Sequence, residues 1–112
     1  LSGWVRDREL MSIEEGIRKV TSEVARVAGL ADRGTLAEGR AADVVVLDWA
    51  ALSPGPERRA YDFPAGGERL TADSPSGLDH VLVAGVPIRR DGASRLSELD
   101  ALPGQVLRSA RG

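Results

Sequence analysis

The chain has 112 residues, of which 42% are hydrophobic, and a formal net charge of −2. This composition suits one domain with a modest core, and no run approaches the ~20 consecutive apolar residues of a membrane-spanning helix. No basic block indicates nucleic-acid binding, and the absence of cysteine excludes a disulfide framework or a thiolate metal site.

The beginning of the chain carries several charged residues and does not read as a signal peptide. We therefore expect a cytoplasmic protein that contacts neither nucleic acid nor membrane. The chain starts at Leu1 and not at methionine, so we also expect residues upstream of it.

The first thirty residues show helical spacing. Ser12 and Glu15 match a capping box, in which the Ser12 hydroxyl accepts from the Glu15 amide and the Glu15 side chain reaches back. Apolar residues then recur at intervals of four, three and four, which predicts one apolar helical face. They are Ile13, Ile17, Val20 and Val24.

A second short helix is predicted to run through Val27. Thr21 or Ser22 is suited to cap its start, and Gly29 stands where a left-handed C-terminal cap belongs. Residues 13 to about 28 are therefore expected to be mainly helical.

The pattern changes in the second half of the chain. Residues 44–47 are apolar and mostly β-branched, with an aspartate on either side, which predicts a strand over residues 43–47 that is buried on both faces. Residues 50–77 are rich in proline and glycine. Because that is long for a structureless connection, we expect a strand near residues 68–72 or a loop that covers a neighbouring surface.

Residues 80–90 are predicted to form a β-hairpin with Ala84 and Gly85 in the turn. The favoured turn requires a positive φ at Ala84, which is unusual for alanine. Pro87 cannot donate to the ladder, so its strand is expected at an edge or beside a bulge. Asp91 and Gly92 mark the next turn. Helices that precede the sheet indicate an α+β fold or fragments of two domains.

His80 is the only histidine in the chain. A zinc site needs three or four ligands, and no second histidine or cysteine is present to join it. A triad of Ser76, Asp79 and His80 is also disfavoured, because adjacent strand residues point to opposite faces. We expect His80 to be an exposed or half-buried strand residue.

Asp43 and Asp48 bracket the predicted strand. They would lie roughly 16 Å apart and on opposite faces, too far for paired acid–base work. Asp43 is expected to hydrogen-bond the turn at Gly39.

Two arginine pairs and two tryptophans complete the set of candidates. Arg58-Arg59 and Arg89-Arg90 are expected to be solvated surface charges. Trp4 and Trp49 could stack on a ligand, but we expect them to be core or domain-interface anchors. No residue is therefore assigned as catalytic, cofactor-binding or metal-binding.

Four stretches resemble the end of an amidohydrolase-superfamily chain of the N-acyl-D-amino-acid deacylase, or D-aminoacylase-like, branch. They are residues 11–21 (MSIEEGIRKVT), 34–48 (GTLAEGRAADVVVLD), 80–87 (HVLVAGVP) and 103–108 (PGQVLR). The family usually has Asn-Gly where this chain has Ala84-Gly85. Residues 62–67 (DFPAGG) also depart from the commoner D-aminoacylase pattern.

The resemblance implies a distorted (β/α)8 barrel and a small β-sandwich built from both chain ends. Residues 1–31 would be the helical end of the catalytic barrel, and residues 32–112 the C-terminal part of the sandwich. The metal ligands of such enzymes lie upstream of the matched region, so the implied zinc belongs to the parent enzyme and none of its ligands is assigned here.

The implied function is that of a C-terminal piece of a zinc-dependent enzyme that hydrolyses the amide of N-acyl-D-amino acids or related compounds. The expected partners are the rest of the parent barrel or another copy of the chain, with a small-molecule substrate for the parent. The alternative is a stand-alone small β-domain that acts as a binding or interaction module.

Overall fold

A computed structural model describes residues 1–107. A short π-helical segment, Ser2–Arg6, precedes helices α1 (Ile13–Val20) and α2 (Ser22–Val27). Six strands follow: β1 Val44–Leu47, β2 Glu57–Ala60, β3 Arg69–Ala72, β4 Leu78–Val83, β5 Val86–Arg90 and β6 Ala93–Ser94. Single 3-10 turns lie at Pro64–Gly66 and Leu96–Glu98. Helices followed by antiparallel sheets confirm the predicted α+β class. Part of the stretch 103–108 lies outside the described residues.

Helix α1 begins where the capping box predicts. The Ser12 hydroxyl accepts a hydrogen bond from the Glu15 amide at 3.2 Å. The predicted return bond from the Glu15 side chain was wrong, because its carboxylate lies 3.8 Å from both Arg18 and Lys19 in the following turn. Acidic residues in the first turn and basic residues in the last turn stabilise α1, because their charges interact favourably with the helix dipole.

The helical region breaks at Thr21, where φ is −126° and ψ is −93°. The Thr21 hydroxyl donates to the Ile17 carbonyl oxygen at 2.6 Å, and the start of α2 has no side-chain cap. Thr21 stands at the predicted N-cap position of α2, but its hydroxyl makes no cap bond because it already donates to the preceding turn. The prediction of one apolar face from Ile13 to Val24 was also wrong, since Val24 lies in α2, beyond the break.

Helix α2 ends in the predicted left-handed cap. Gly29 has φ 72°, and its amide donates to the Arg26 carbonyl oxygen at 3.2 Å. The Leu30 amide donates to the Ala25 carbonyl oxygen at 2.8 Å. These two bonds form a Schellman motif and satisfy carbonyl groups that the helix end leaves free.

The main sheet has the strand order β1-β4-β5-β6, and all its pairs are antiparallel. The predicted hairpin is confirmed, with φ 49° at Ala84 and 80° at Gly85 between β4 and β5. Pro87 pairs with Leu82 directly beside a register shift, as expected for a residue that cannot donate. The turn at Asp91 and Gly92 is confirmed as well, and leads into β6.

Strand β1 lies at an edge of this sheet and is not covered on both faces. Val45 is 53% exposed and Val46 is 45% exposed. The predicted two-sided burial was wrong for residues 1–107, because their helices and loops do not cover these side chains. The sequence pattern is that of a buried strand, but the described residues supply too little apolar surface to bury it.

The buried core of the described part is small. Its buried hydrophobic residues are Val5, Ala25 and Ala60. Gly16 allows α1 to approach the first segment, since a Cβ atom there would lie 2.7 Å from the Val5 side chain. None of the helices within residues 1–107 is long and apolar enough to cross a lipid bilayer.

Arg6 connects the first helical segment to the loop that follows β1. Its Nη1 atom donates to the carbonyl oxygens of Trp49, Ala50 and Leu52 at 3.0, 3.1 and 2.6 Å. A charged donor strengthens such bonds. Arg6 thereby holds a loop whose carbonyl groups lack strand partners.

Strands β2 and β3 form a separate two-stranded ribbon within the long loop. The strand predicted near residues 68–72 is confirmed as β3, whereas β2 (ERRA) was missed because its residues are mostly charged. Ion pairs join the two sides of the ribbon: Arg58–Asp73 at 2.8 Å, Arg59–Glu68 at 2.6 Å and Arg69–Asp62 at 2.7 Å. Such exposed pairs fix the register more than they add stability.

The ribbon makes a testable prediction about acid titration. The hydrogen bonds from Arg69 lower the pKa of Asp62 from its ordinary value of 3.8. We expect Arg69→Gln to raise that pKa toward 3.8, as measured by carboxyl NMR, whereas Arg59→Gln should not change it. Because the folded-state pKa is lowered, the pair stabilises the fold above the ordinary pKa and this contribution is lost as the pH falls through the lowered one. An equal response to both variants would contradict the assignment.

Candidate functional site

A depression of about 420 Å³ lies between the end of α1, the loop of residues 33–36 and strand β1. Its lining is mostly apolar and includes Ile17, Leu36, Val44 and Val45. The polar part of the wall is supplied by Thr21, Arg33, Thr35 and Asp43. This is the place in the described chain where the helical half meets the sheet.

Asp43 is the most heavily used side chain of this depression. Its Oδ1 atom accepts a hydrogen bond from the Ala84 amide at 2.8 Å, and Oδ2 forms an ion pair with Arg33. The Gly85 amide donates to the Ala42 carbonyl oxygen at 2.9 Å beside it. One carboxylate therefore joins the loop before β1 to the β4–β5 turn and to Arg33.

The predicted partner of Asp43 was wrong. Gly39 has φ 79°, and its turn is closed by a backbone bond from the Arg40 amide to the Ala37 carbonyl oxygen at 3.2 Å. Because the backbone completes that turn by itself, both oxygens of Asp43 are free for Ala84 and Arg33.

His80 is half-buried on strand β4, with a side chain that is 37% exposed. Its Nδ1 atom accepts a weak bond from the Asp91 amide at 3.4 Å, and Nε2 lies 3.8 Å from an Asp91 carboxylate oxygen. The prediction of an exposed or half-buried strand histidine is confirmed.

The structure does not assemble the Ser76, Asp79 and His80 triad. The Ser76 hydroxyl donates to the Ala51 carbonyl oxygen at 2.9 Å. The Asp79 carbonyl oxygen accepts from the Gly92 amide in the β5–β6 turn at 2.9 Å. His80 contacts Asp91 of the same turn. The side chains of Ser76 and His80 therefore form hydrogen bonds with different loops.

Asp48 has a local role. Its Oδ1 atom accepts from the amides of Ala50 and Ala51 at 2.9 and 3.2 Å, which forms a turn after β1. Asp43 and Asp48 therefore act at opposite ends of the strand and do not form a carboxylate pair.

The arginine pairs divide into two kinds. Arg58 and Arg59 are exposed, as predicted, and each forms an ion pair on the ribbon. Arg90 is exposed, but Arg89 is part-buried and its Nε atom donates to the Leu78 carbonyl oxygen at 2.8 Å. The solvated reading was therefore wrong for Arg89, because the neighbouring strand offers a free carbonyl group.

The tryptophans are also unlike each other. Trp4 is 63% exposed, with the Arg8 guanidinium 5.4 Å from its ring centre, so it is not a core residue of the described chain. Trp49 is half-buried, and its carbonyl oxygen accepts from Arg6.

The donor groups of the described chain do not fit a zinc site. Zinc requires three or four protein ligands at about 2.0–2.3 Å. Nowhere in residues 1–107 do three side chains of His, Cys, Asp or Glu come together in a way that could hold a metal ion. His80 and Asp91 form only a pair, so no chemical step through a metal is derived for this chain.

Sequence reasoning missed the role of Arg33. The residue precedes a glycine in a loop and matches no motif, yet its side chain is only 13% exposed. The available signal was its position ten residues before an aspartate that follows a turn. That signal is weak, because distance along the chain does not show which loops meet.

Loss of the Asp43 carboxylate is expected to destabilise the fold. Asp43→Ala removes a charged hydrogen bond to Ala84 and leaves Arg33 without its partner, at a cost of about 1.5–3 kcal/mol. Asp32→Ala is the matched control, because Asp32 is 61% exposed and lies 3.6 Å from Arg33. Its cost should stay within about 0.5 kcal/mol. Urea unfolding measures the free energy of unfolding of both variants. Equal losses would contradict the prediction, because they would show that any negative charge near Arg33 stabilises the fold as much as the Asp43 hydrogen bonds do.

Comparison with known proteins identifies the family of this chain. The model of the Amidohydrolase family (Amidohydro_3) matches residues 2–89. Over 88 residues the chain is 40% identical to the N-acyl-D-glutamate deacylase of Alcaligenes xylosoxydans xylosoxydans, a match that covers 79% of this chain and 16% of that enzyme. No solved structure matches the chain. The chain therefore belongs to the amidohydrolase family, and its resemblance to the D-aminoacylase-like branch is confirmed.

Proposed function

We propose that this chain is the C-terminal portion of a metal-dependent amidohydrolase that hydrolyses the amide bond of N-acyl-D-amino acids. The observation that carries the proposal is the 40% identity to an N-acyl-D-glutamate deacylase over 79% of the chain. The match covers only 16% of that enzyme, so the remainder of the proposed enzyme would be encoded elsewhere in the same polypeptide.

The chain supplies no catalytic residue in this proposal. Its best-placed polar side chains already have structural partners: Asp43 holds Arg33 and Ala84, and Asp48 closes a turn. Metal ligands would come from the rest of the enzyme, where zinc would activate water for attack on the amide carbonyl. The role of the present chain is to join the last helices to the sheet.

The proposed architecture assigns residues 1–31 to the end of a (β/α)8 barrel and residues 32–112 to a β-sandwich. Two features support it: β1 is an apolar edge strand, and Val45 and Val46 remain about half exposed. Natural proteins seldom leave a strand of this kind uncovered. Strands from another part of the enzyme would complete the sheet. We also propose that the enzyme is located in the cytoplasm.

Activity measurements test this function. We expect the polypeptide that includes the upstream region to bind zinc and hydrolyse N-acetyl-D-amino acids but not their L-enantiomers. The 112-residue chain alone should do neither, because its donor groups do not fit a metal site. Zinc content after dialysis and amino-acid release are the measurements.

Two results would contradict the proposal. Stoichiometric zinc in the 112-residue chain, or turnover by it that His80→Ala abolishes, would place the chemistry here. A longer polypeptide that folds and binds metal but cleaves no N-acyl-D-amino acid would overturn the substrate class.

Assembly gives a second test. We expect the isolated chain to associate with the rest of the barrel or with another copy, because its core is small and β1 is an uncovered edge. Sedimentation velocity should show oligomers, and Val45→Lys should reduce them because a charge on an edge strand opposes pairing. Leu70→Lys is the control, because it adds a charge at a 66% exposed position of a ribbon whose strands already carry charged side chains. A monodisperse, cooperatively unfolding monomer would instead favour a stand-alone binding module.

A further inference from the structure

Three arginine side chains line a surface depression beside the C-terminal end of α2. The depression has a volume of about 360 Å³, and its wall includes Arg26, Arg33 and Arg40 together with Ser22 and Thr35. This volume is near the lower end of the range for ligand pockets, about 300–1,000 Å³. It has room for a small ligand, and its wall is rich in hydrogen-bond donors.

Two of these guanidinium groups have no carboxylate partner within residues 1–107. Six other arginines of that region pair with carboxylates, namely Arg6, Arg18, Arg58, Arg59, Arg69 and Arg95. Arg26 is exposed and forms no such pair, and Arg40 donates to the Ala31 carbonyl oxygen. In a chain with net charge −2, unneutralised guanidinium groups that share one depression make it locally positive.

Arg33 forms a fixed part of the same wall. Its side chain is 13% exposed, and its Nε atom is buried without a hydrogen-bond partner among the described residues. The nearest Asp32 oxygen is 3.6 Å away, beyond hydrogen-bond distance. The loop is held close to α2, because a Cβ atom on Gly34 would lie 2.8 Å from the Ala25 side chain.

Negative groups near the depression do not cancel its charge. Asp32 and Asp43 both lie against Arg33, and the positive charges of Arg26 and Arg40 remain. The end of α2 contributes partial negative charge. Two carbonyl groups of its last turn, however, already accept from the amides of Gly29 and Leu30.

We propose that this depression, the arginine site, binds a small oxyanion, either a carboxylate or a phosphate. Arg26 and Arg40 hold the anion, and Arg33 forms a rigid part of the wall behind them. Guanidinium groups present paired N–H donors that match two oxygens of such anions, which a lysine ammonium group does not. The site is separate from the amide hydrolysis proposed above and does not depend on it.

An NMR titration tests the arginine site. The full chain is titrated at constant ionic strength with inorganic phosphate and, separately, with acetate, while the amides of residues 29–35 are followed. Arg26→Gln and Arg40→Gln should each weaken binding about tenfold, since each removes a charged hydrogen-bonding group. Arg26→Lys keeps the charge and should weaken it less. Arg90→Gln, which removes an exposed charge from β5, should leave it unchanged.

The two anions distinguish the sources of the ligand. Binding of phosphate alone assigns a phosphate site, and binding of acetate alone assigns a carboxylate site. No saturable shift with either anion would overturn the proposal, as would an equal loss in Arg26→Gln and Arg90→Gln. Arg40→Gln also removes the bond to Ala31, so if that variant unfolds, the two Arg26 variants decide the outcome.

Discussion

Contact between Asp43, Arg33 and the Ala84 amide determines how the two halves of this chain meet. The carboxylate stands just before β1 and fixes the β4–β5 turn with one oxygen, while the other oxygen holds the loop that follows α2. Positive φ at Ala84 presents the turn amide to that carboxylate. Because charge-assisted bonds are directional, this single side chain specifies a geometry that the small apolar core could not specify alone.

The remainder of the described chain is organised by polar bonds to a similar degree. Arg6 binds three carbonyl groups after β1, and Asp48 closes the same loop with two amides. Within residues 1–107 the buried hydrophobic residues are the small or β-branched Val5, Ala25 and Ala60. Burial of so little apolar area stabilises a domain weakly. In the enzyme that we propose, further polypeptide would cover this segment, since the match spans only 16% of the related deacylase.

Family membership and chemistry separate clearly in this molecule. The stretches that identify the amidohydrolase family form a helix cap, an edge strand and a hairpin, which are elements of architecture. Histidine and carboxylate groups occur in the chain, but within residues 1–107 no three of them come together in a way that could hold a metal ion. Function is a property of sites and not of folds, so the fold alone assigns no active-site role here.

Local physics in the sequence determined most of the secondary structure. Ser12 and Glu15 set the start of α1, Gly29 ended α2, and β-branched residues with a turn glycine defined the hairpin, because each signal acts over a few residues. Tertiary structure alone decided the rest. Strand β2 is charged and exists because β3 pairs with it, Arg89 turns to a carbonyl group of β4, and the exposure of Val45 depends on what covers β1. Asp43 met Ala84 and not Gly39 because residues 41 positions apart come together only when the sheet forms.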